Sequence, residues 1–356
     1  EMIVFEDSDL YAVITYLKIT PCFLLRVKKI FIQESIKQKF LWLLEKNCRY
    51  FSTVNLPIFI FRLTNELFTH CKDFSSCFNM MSIWSENITS AKVLAMQLQN
   101  DVIFINAYLE FGTDIQFPLK KKQFIFSNSY PNYDAQPKDG NKINLNIYTE
   151  NIYTVYNHFY NGTWKEPVSD IYWIHNDDKY AHCTREDVNR CINSAEEAFE
   201  SWSHMPVRSR IELINNLVNT LECNSKYLLA NTISKCIKLL NEVFKPSLSG
   251  SNERLEQIYI RAPRGIISLC HTNEVTLFNY LITSLFVGNC VIIVCSQHLC
   301  NIAPYCNMFS TSKIPPGVIN LIFQKDLHYP TYLSNYSLTN YLMIVTVPKN
   351  IILPLK

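Results

Sequence analysis

Four residues able to bind a soft metal, Cys290, Cys295, His298 and Cys300, crowd into one short stretch of this 356-residue chain. A structural zinc site needs thiolates or imidazoles in tetrahedral reach, and its ligands come as close Cys pairs separated by about two to four residues. Here Cys290 and Cys295 bracket the apolar string VIIV, the pattern of a buried strand, so the stretch reads as core and no metal is expected. The 13 cysteines are odd in number and irregularly spaced, several of them inside apolar runs. They are expected to be reduced and buried, as in a cytoplasmic protein. Other chemistries leave no trace: there is no Walker loop, no Gly-x-Ser-x-Gly elbow and no His pair at metal spacing on a helix. The carboxylates Glu6, Asp7 and Asp9 read as the solvated start of a helix, and Lys120, Lys121 and Lys122 as a solvated turn.

The elements that must position any site are clearest in the second half. From Glu186, Val188, Cys191, Ala195, Ala198, Phe199 and Trp202 fall on one face at helical spacing. Pro206 then opens a second run with Ile211, Ile214, Leu217, Val218 and Leu221, so two amphipathic helices follow one another. RAPRGIISLC, FNYLITSLF, the pair Gly288 and Asn289, CVIIVCSQ and IPPGVINLIF then read as an alternation of strand and helix. That is an α/β pattern that builds a parallel sheet. The apolar run from Phe278 to Cys295 approaches membrane-spanning length, but Asn279, Thr283, Ser284, Gly288 and Asn289 interrupt it, so a helix and a buried strand are expected rather than a membrane span. In the first third a strand is expected from Val102 to Asn106. Residues 120–156, rich in Asn, Lys, Tyr and turn formers, have the composition of a linker.

FYNGTWKEP, just upstream of the two helices, resembles the first strand of an aldehyde dehydrogenase. The helices, RAPRG, GNCVIIV and IPPGVIN follow in that family's order, from about Phe159 to Gln324. In the first third, SIWSENITSAKVLAMQLQNDVIFIN resembles the segment shortly before the family's C-terminus. IVFEDSDL and IFIQESIKQKFLWLL resemble its catalytic domain just before and just after the nucleophile. A C-terminal half followed by an N-terminal half is the order found in the middle of a tandem protein, and the chain resembles aldehyde dehydrogenase family 16, whose members carry two units. The resemblance implies an incomplete aldehyde dehydrogenase fold, with Rossmann-like parallel sheets and flanking helices in two partial units. Residues 1–123 would be the partial catalytic and C-terminal region of the first unit, 124–156 a linker, and 157–356 the N-terminal, cofactor-binding-type region of the second.

The same resemblance says where chemistry belongs. The family attacks a carbonyl with a Cys thiolate, holds the oxyanion with an Asn side chain and a backbone N–H, uses a Glu as general base and passes hydride to NAD or NADP. The nucleophile falls shortly before IFIQES, where Cys22 is the nearby cysteine. Alignment on IFIQES points nearer Leu24, however, and Thr20 and Pro21 stand where Gly-Gln is expected. The oxyanion Asn falls within HTNEVT. Register from RAPRG places Glu274 there, and a shift of one residue would place Asn273. A carboxylate repels a developing oxyanion, where loss of one donor alone costs roughly 3 to 4 kcal/mol. The Lys and Glu that hold the adenosine ribose belong to a turn that here reads Val294, Cys295, Ser296, Gln297. That replacement is expected to weaken dinucleotide binding by something on the order of a hundredfold. The later Gly-Ser turn would fall at Ile344 to Val347, where there is no glycine. CRYFSTVNL joins the QES helix directly to PIFIFR, so much of the catalytic domain is expected to be absent.

Composition bounds the rest. The chain holds 7 glycines, about a third of the usual roughly 7%, so loops in which backbone approaches a dinucleotide must be scarce. A net charge of +2 without long blocks of one sign predicts no attraction to nucleic acid or to a membrane surface. The chain begins at Glu1 inside family-like sequence, so its true N-terminus is expected upstream. The expected function is that of an aldehyde dehydrogenase superfamily member whose family reaction is NAD(P)-dependent oxidation of an aldehyde to a carboxylic acid. This chain is expected to be catalytically impaired or dead, to bind NAD or NADP weakly or not at all, and to serve as a scaffold. The alternative is a partial copy of an active enzyme. Half-domains would leave sheet edges open, so a homo-oligomer or a protein partner is expected, with VIFIN and the segment that follows it as a candidate interface.

Overall fold

A computed structural model describes residues 1–19, 27–47, 57–71, 79–108, 154–251, 254–299, 301–325 and 337–354. Strand and helix alternate at first: β1 (Met2–Val4), α1 (Leu10–Ile19), β2 (Ile30–Gln33), α2 (Lys37–Asn47), β3 (Ile58–Phe61), α3 (Thr64–His70), β4 (Met80–Trp84), α4 (Ile88–Gln97) and β5 (Val102–Ile105). Five short strands follow, β6 (Thr154–Tyr156), β7 (His158–Tyr160), β8 (Thr163–Lys165), β9 (Tyr172–His175) and β10 (Asp178–Ala181). Then come the helices α5 (Arg185–His204), α6 (Val207–Cys223) and α7 (Tyr227–Val243) and the hairpin β11 (Ser247–Ser251) and β12 (Leu255–Pro263). The last elements are β13 (Ile266–Leu269), α8 (Glu274–Val287), β14 (Cys290–Cys295), α9 (Cys306–Thr311), β15 (Ile319–Phe323), α10 (Leu338–Val345) and β16 (Thr346–Pro354). The expected α/β class is what the chain adopts.

The chain divides into two compact units, one from Glu1–Lys121, Lys245–Ala262 and Pro348–Lys356, the other from Lys122–Phe244 and Pro263–Val347. The first unit is an eight-stranded sheet in the order β11-β12-β16-β5-β4-β1-β2-β3. Its strands run parallel from β16 to β3, and β11 pairs antiparallel with β12. MIV, IFI and VIFI are buried, as a parallel sheet covered on both faces requires. Val13, Ile14 and Leu17 of α1 pack with Phe40, Leu43 and Leu44 of α2 in one core cluster. Leu67 of α3 and Ala91, Leu94 and Ala95 of α4 form part of another.

Two expectations change here. The strand VIFIN is an interior strand: β5 pairs with β4 on one side and with β16 of the same chain on the other. It is no open edge, because residues far along the sequence already fill the position. The acidic stretch does begin a helix, with Asp9 Oδ1 accepting from the Tyr11 and Ala12 N–H groups at 2.9 and 3.2 Å. Asp7, however, is not simply solvated. Its Oδ2 accepts from Ser85 Oγ and Asn87 N, both at 2.9 Å, tying the loop after β1 to the loop after β4.

The second unit holds a five-stranded sheet, β13-β14-β15-β7-β8, and a three-stranded one, β6-β10-β9. β13, β14 and β15 are parallel, and β7 and β8 complete the sheet antiparallel. Helix α5 starts at a capping box. The Thr184 hydroxyl accepts the Asp187 N–H, and the Asp187 carboxylate accepts the Thr184 N–H at 2.9 Å, satisfying two of the orphan donors of a helix start. The face Val188, Cys191, Ala195, Ala198, Phe199 and Trp202 is buried, as are Ile214, Leu217, Val218 and Leu221 of α6. Gly288, at φ +102°, ends α8 in the left-handed region that glycine adopts without strain. The expected linker lies almost wholly outside the described residues, apart from its last three, which form β6. Among the described residues no helix is long and apolar enough to cross a membrane.

Candidate functional site

In parallel α/β sheets, ligands bind beyond the carboxyl ends of the strands. In the second unit these ends are Leu269, Cys295 and Phe323, and the first two carry the residues singled out by sequence. Beyond β13 the chain turns through His271 and Asn273 into α8. The Asn273 N–H donates to His271 Nδ1 at 2.8 Å. The Asn273 side-chain oxygen accepts from Thr276 N at 2.9 Å and Thr276 Oγ1 at 3.1 Å. Asn273 is therefore the N-cap of α8, and its amide oxygen is committed to the helix start.

Glu274 is the first residue of α8 and is half-buried. Its Oε1 accepts a 2.7 Å hydrogen bond from the Tyr305 hydroxyl. Tyr305, in the turn before α9, is held by an edge-on contact with Phe278, centroids 5.1 Å apart. The Lys226 ammonium lies 5.6 Å from its ring centroid, within cation–π range. A carboxylate at a helix N-terminus is favoured by the backbone dipoles, so the position is stable as built. Chemically it offers only acceptors, one already taken.

At the end of β14, Val294, Cys295 and Ser296 are buried, Gln297 is half-buried and His298 is exposed. Ser296 Oγ accepts the His298 N–H at 3.3 Å, and Gln297 Nε2 lies 3.0 Å from His298 Nε2. The Cys295 carbonyl accepts from Gln324 N at 2.9 Å. Val294 brings no polar atom where a ribose would need a donor. Cys290 and Cys295 stand at opposite ends of β14, five residues apart on a pleated strand whose side chains alternate faces. Cys300 lies outside the described residues. Among the described residues no group of three His, Cys, Asp or Glu side chains is placed to hold a metal ion. Burial pushes the Cys306 thiol well above its ordinary range and that of Cys183 up to about 12, so neither is a ready nucleophile.

Cys22, Thr20, Pro21 and Leu24 all lie outside the described residues. At Ile344 to Val347 the structure places the end of α10 and the start of β16. The Val345 carbonyl there accepts from Arg264 N at 3.2 Å and from Asn289 Nδ2 at 2.9 Å. Sequence reasoning missed Tyr305 as the partner of Glu274. The two are joined by packing between α8 and the turn before α9, and no local pattern reports that.

Residues 175–257 match the family described as the aldehyde dehydrogenase family. Over this segment the chain is similar to that family. Its similarity to an NADP-dependent glyceraldehyde-3-phosphate dehydrogenase of Pisum sativum is 26% identity over 190 residues, covering 51% of this chain and 32% of that protein. The chain thus spans about a third of the length of that relative. Among solved structures, an NAD+ complex of an aldehyde dehydrogenase from Bacillus cereus aligns with a TM-score of 0.42 at 15% identity, over 47% of this chain and 41% of that one. A lactaldehyde dehydrogenase from Escherichia coli aligns with a TM-score of 0.44 at 13% identity, over 49% and 43%. The family match runs from His175 of β9 through the three helices to Gln257 of β12, so Glu274 and the turn Val294 to Gln297 lie beyond the matched segment.

Proposed function

We propose that this chain joins the C-terminal part of one aldehyde dehydrogenase unit, residues 1–123, through 124–156 to the N-terminal part of a second, 157–356, in the manner of family 16. In this reading it is catalytically impaired or dead and acts as a cytoplasmic scaffold, as a homo-oligomer or with a protein partner. One observation carries the loss of activity: the Glu274 carboxylate, hydrogen-bonded to Tyr305, at the start of α8. A carboxylate there opposes the charge that an oxyanion site must stabilise, where removal of one donor alone lowers turnover by roughly a hundred- to a thousandfold.

The residues at the end of β14 do not fit an adenosine ribose of NAD or NADP. Val294 has no donor, the Ser296 hydroxyl accepts from the neighbouring His298 N–H, and Gln297 lacks the charge of a Glu. No step through a dinucleotide is assigned to this chain. The test is a direct one: purified protein is mixed with NAD or NADP and a simple aldehyde, and formation of the reduced nicotinamide is followed by absorbance. No turnover is expected. Turnover that disappears in Cys22→Ala would overturn this reading. It would favour the second one, a partial copy of an active NAD(P)-dependent enzyme, which the NADP-dependent dehydrogenase of Pisum sativum supports as a relative.

A further inference from the structure

His158 of β7 is fully buried in the second unit. Its Nδ1 accepts the backbone N–H of Phe323, the last residue of β15, at 3.3 Å, and its ring stacks over the Phe323 ring with centroids 6.4 Å apart. A ring nitrogen that accepts is unprotonated, so the neutral imidazole carries its proton on Nε2. Nε2 is buried and has no hydrogen-bond partner among the described residues. The register between β7 and β15 consists of one pair, Leu321 with Phe159, and the His158 bond adds a second tie between the two strands beside the buried Phe159 and Tyr160 side chains.

We propose that His158 is an acid-operated lock on this hairpin: neutral, it accepts the Phe323 N–H and holds β7 on β15; protonated, it turns a donor toward that N–H and releases it. The groups facing it set the direction. Burial drives its pKa down, to about 4, with the neighbouring His182 ring acting the same way, while Asp187 of α5 and the backbone of His182 pull it up. The Asp187 carboxylate already accepts from Thr184 N, Thr184 Oγ1 and Val168 N. It cannot turn to an imidazolium without loosening the start of α5. Because the folded pKa is depressed, the stabilisation is complete above the ordinary histidine range. It is lost as pH falls toward the folded value.

The test is hydrogen exchange of the Phe323 amide in the full chain, corrected for intrinsic rates and compared with the Ile293 amide of β14. Between about pH 6 and about pH 4.5, Phe323 protection is expected to fall by roughly tenfold per pH unit relative to Ile293. His158→Asn, whose side-chain oxygen can still accept the Phe323 N–H but does not titrate, is expected to abolish that slope, while His182→Asn keeps it. A flat Phe323 profile in the unsubstituted protein would overturn the proposal. So would an unchanged slope in His158→Asn, or a loss of protection shared equally by Ile293. If His158→Asn does not fold, the unsubstituted profile decides alone.

Discussion

Glu274 shows how much of a side chain's setting lies outside its local sequence. Its position at the opening of α8 follows from the RAPRG register, but its bond to Tyr305 depends on packing across some thirty residues of chain. Removing the hydroxyl by Tyr305→Phe leaves a half-buried carboxylate short of one donor. It is expected to lower stability by about 1 to 2 kcal/mol, read as a shift of the urea midpoint at constant slope. Gly317 makes a different kind of demand. It sits at φ +82°, and a Cβ there would press on the Ser194 carbonyl and lie 2.9 Å from Ala198 Cβ. Gly317→Ala therefore combines left-handed strain with overpacking against α5. A loss of about 2 to 4 kcal/mol is expected, again by urea unfolding. A midpoint indistinguishable from that of the unsubstituted chain would show that α5 yields easily and that the close approach is not required.

At the scale of elements, what was legible was what is local. The 3.6-residue periodicity gave the buried faces of α5 and α6, and Gly288 with Asn289 marked the break between α8 and β14. The apolar run that approached membrane-spanning length resolved into that helix and strand because a polar residue interrupts it every few positions. Pairing between distant segments was not legible. Nothing near Thr346 to Pro354 announces that this strand inserts between β5 and β12, because strand register is decided by partners far away in sequence. Part of the answer is Lys349, almost completely buried, whose ammonium donates to the Met96 carbonyl at 3.0 Å and to the Leu98 carbonyl. It thereby satisfies orphan acceptors at the end of α4. Lys349→Met keeps the apolar stem and removes the donor, leaving buried carbonyls without that partner. A loss of about 2 to 3 kcal/mol is expected, followed through the fluorescence of the buried Trp84 of β4. An unchanged midpoint would mean that shedding a buried charge offsets the lost hydrogen bonds.

At the scale of the molecule, the first unit is assembled from three separated stretches of chain, whereas the principal core cluster of the second is drawn entirely from residues between Phe159 and Val345. The two units should therefore answer differently to loss of the C-terminal strand. In the first, β16 is hydrogen-bonded to β5 with Asn350, Ile351 and Ile352 opposite Val102, Ile103 and Phe104, and Gln257 of β12 donates to Asn350 across the other side at 3.3 Å. Both contacts are buried, so removing β16 uncovers the edge of β5 and separates it from the hairpin β11 and β12. In the second, ending the chain at Val345 keeps all of α10, the Tyr341 stack on Tyr280 and the Val345 carbonyl that anchors Asn289. Limited proteolysis of a chain ending at Val345 is expected to cut rapidly within residues 1–108 while residues 154–243 persist as in the full chain, because cleavage follows local opening. Equal protection of both regions would mean that β5 finds another covering strand once its own is gone. Equal loss would mean that the two units unfold together, and that the interleaving of the chain couples them more tightly than their separate cores suggest.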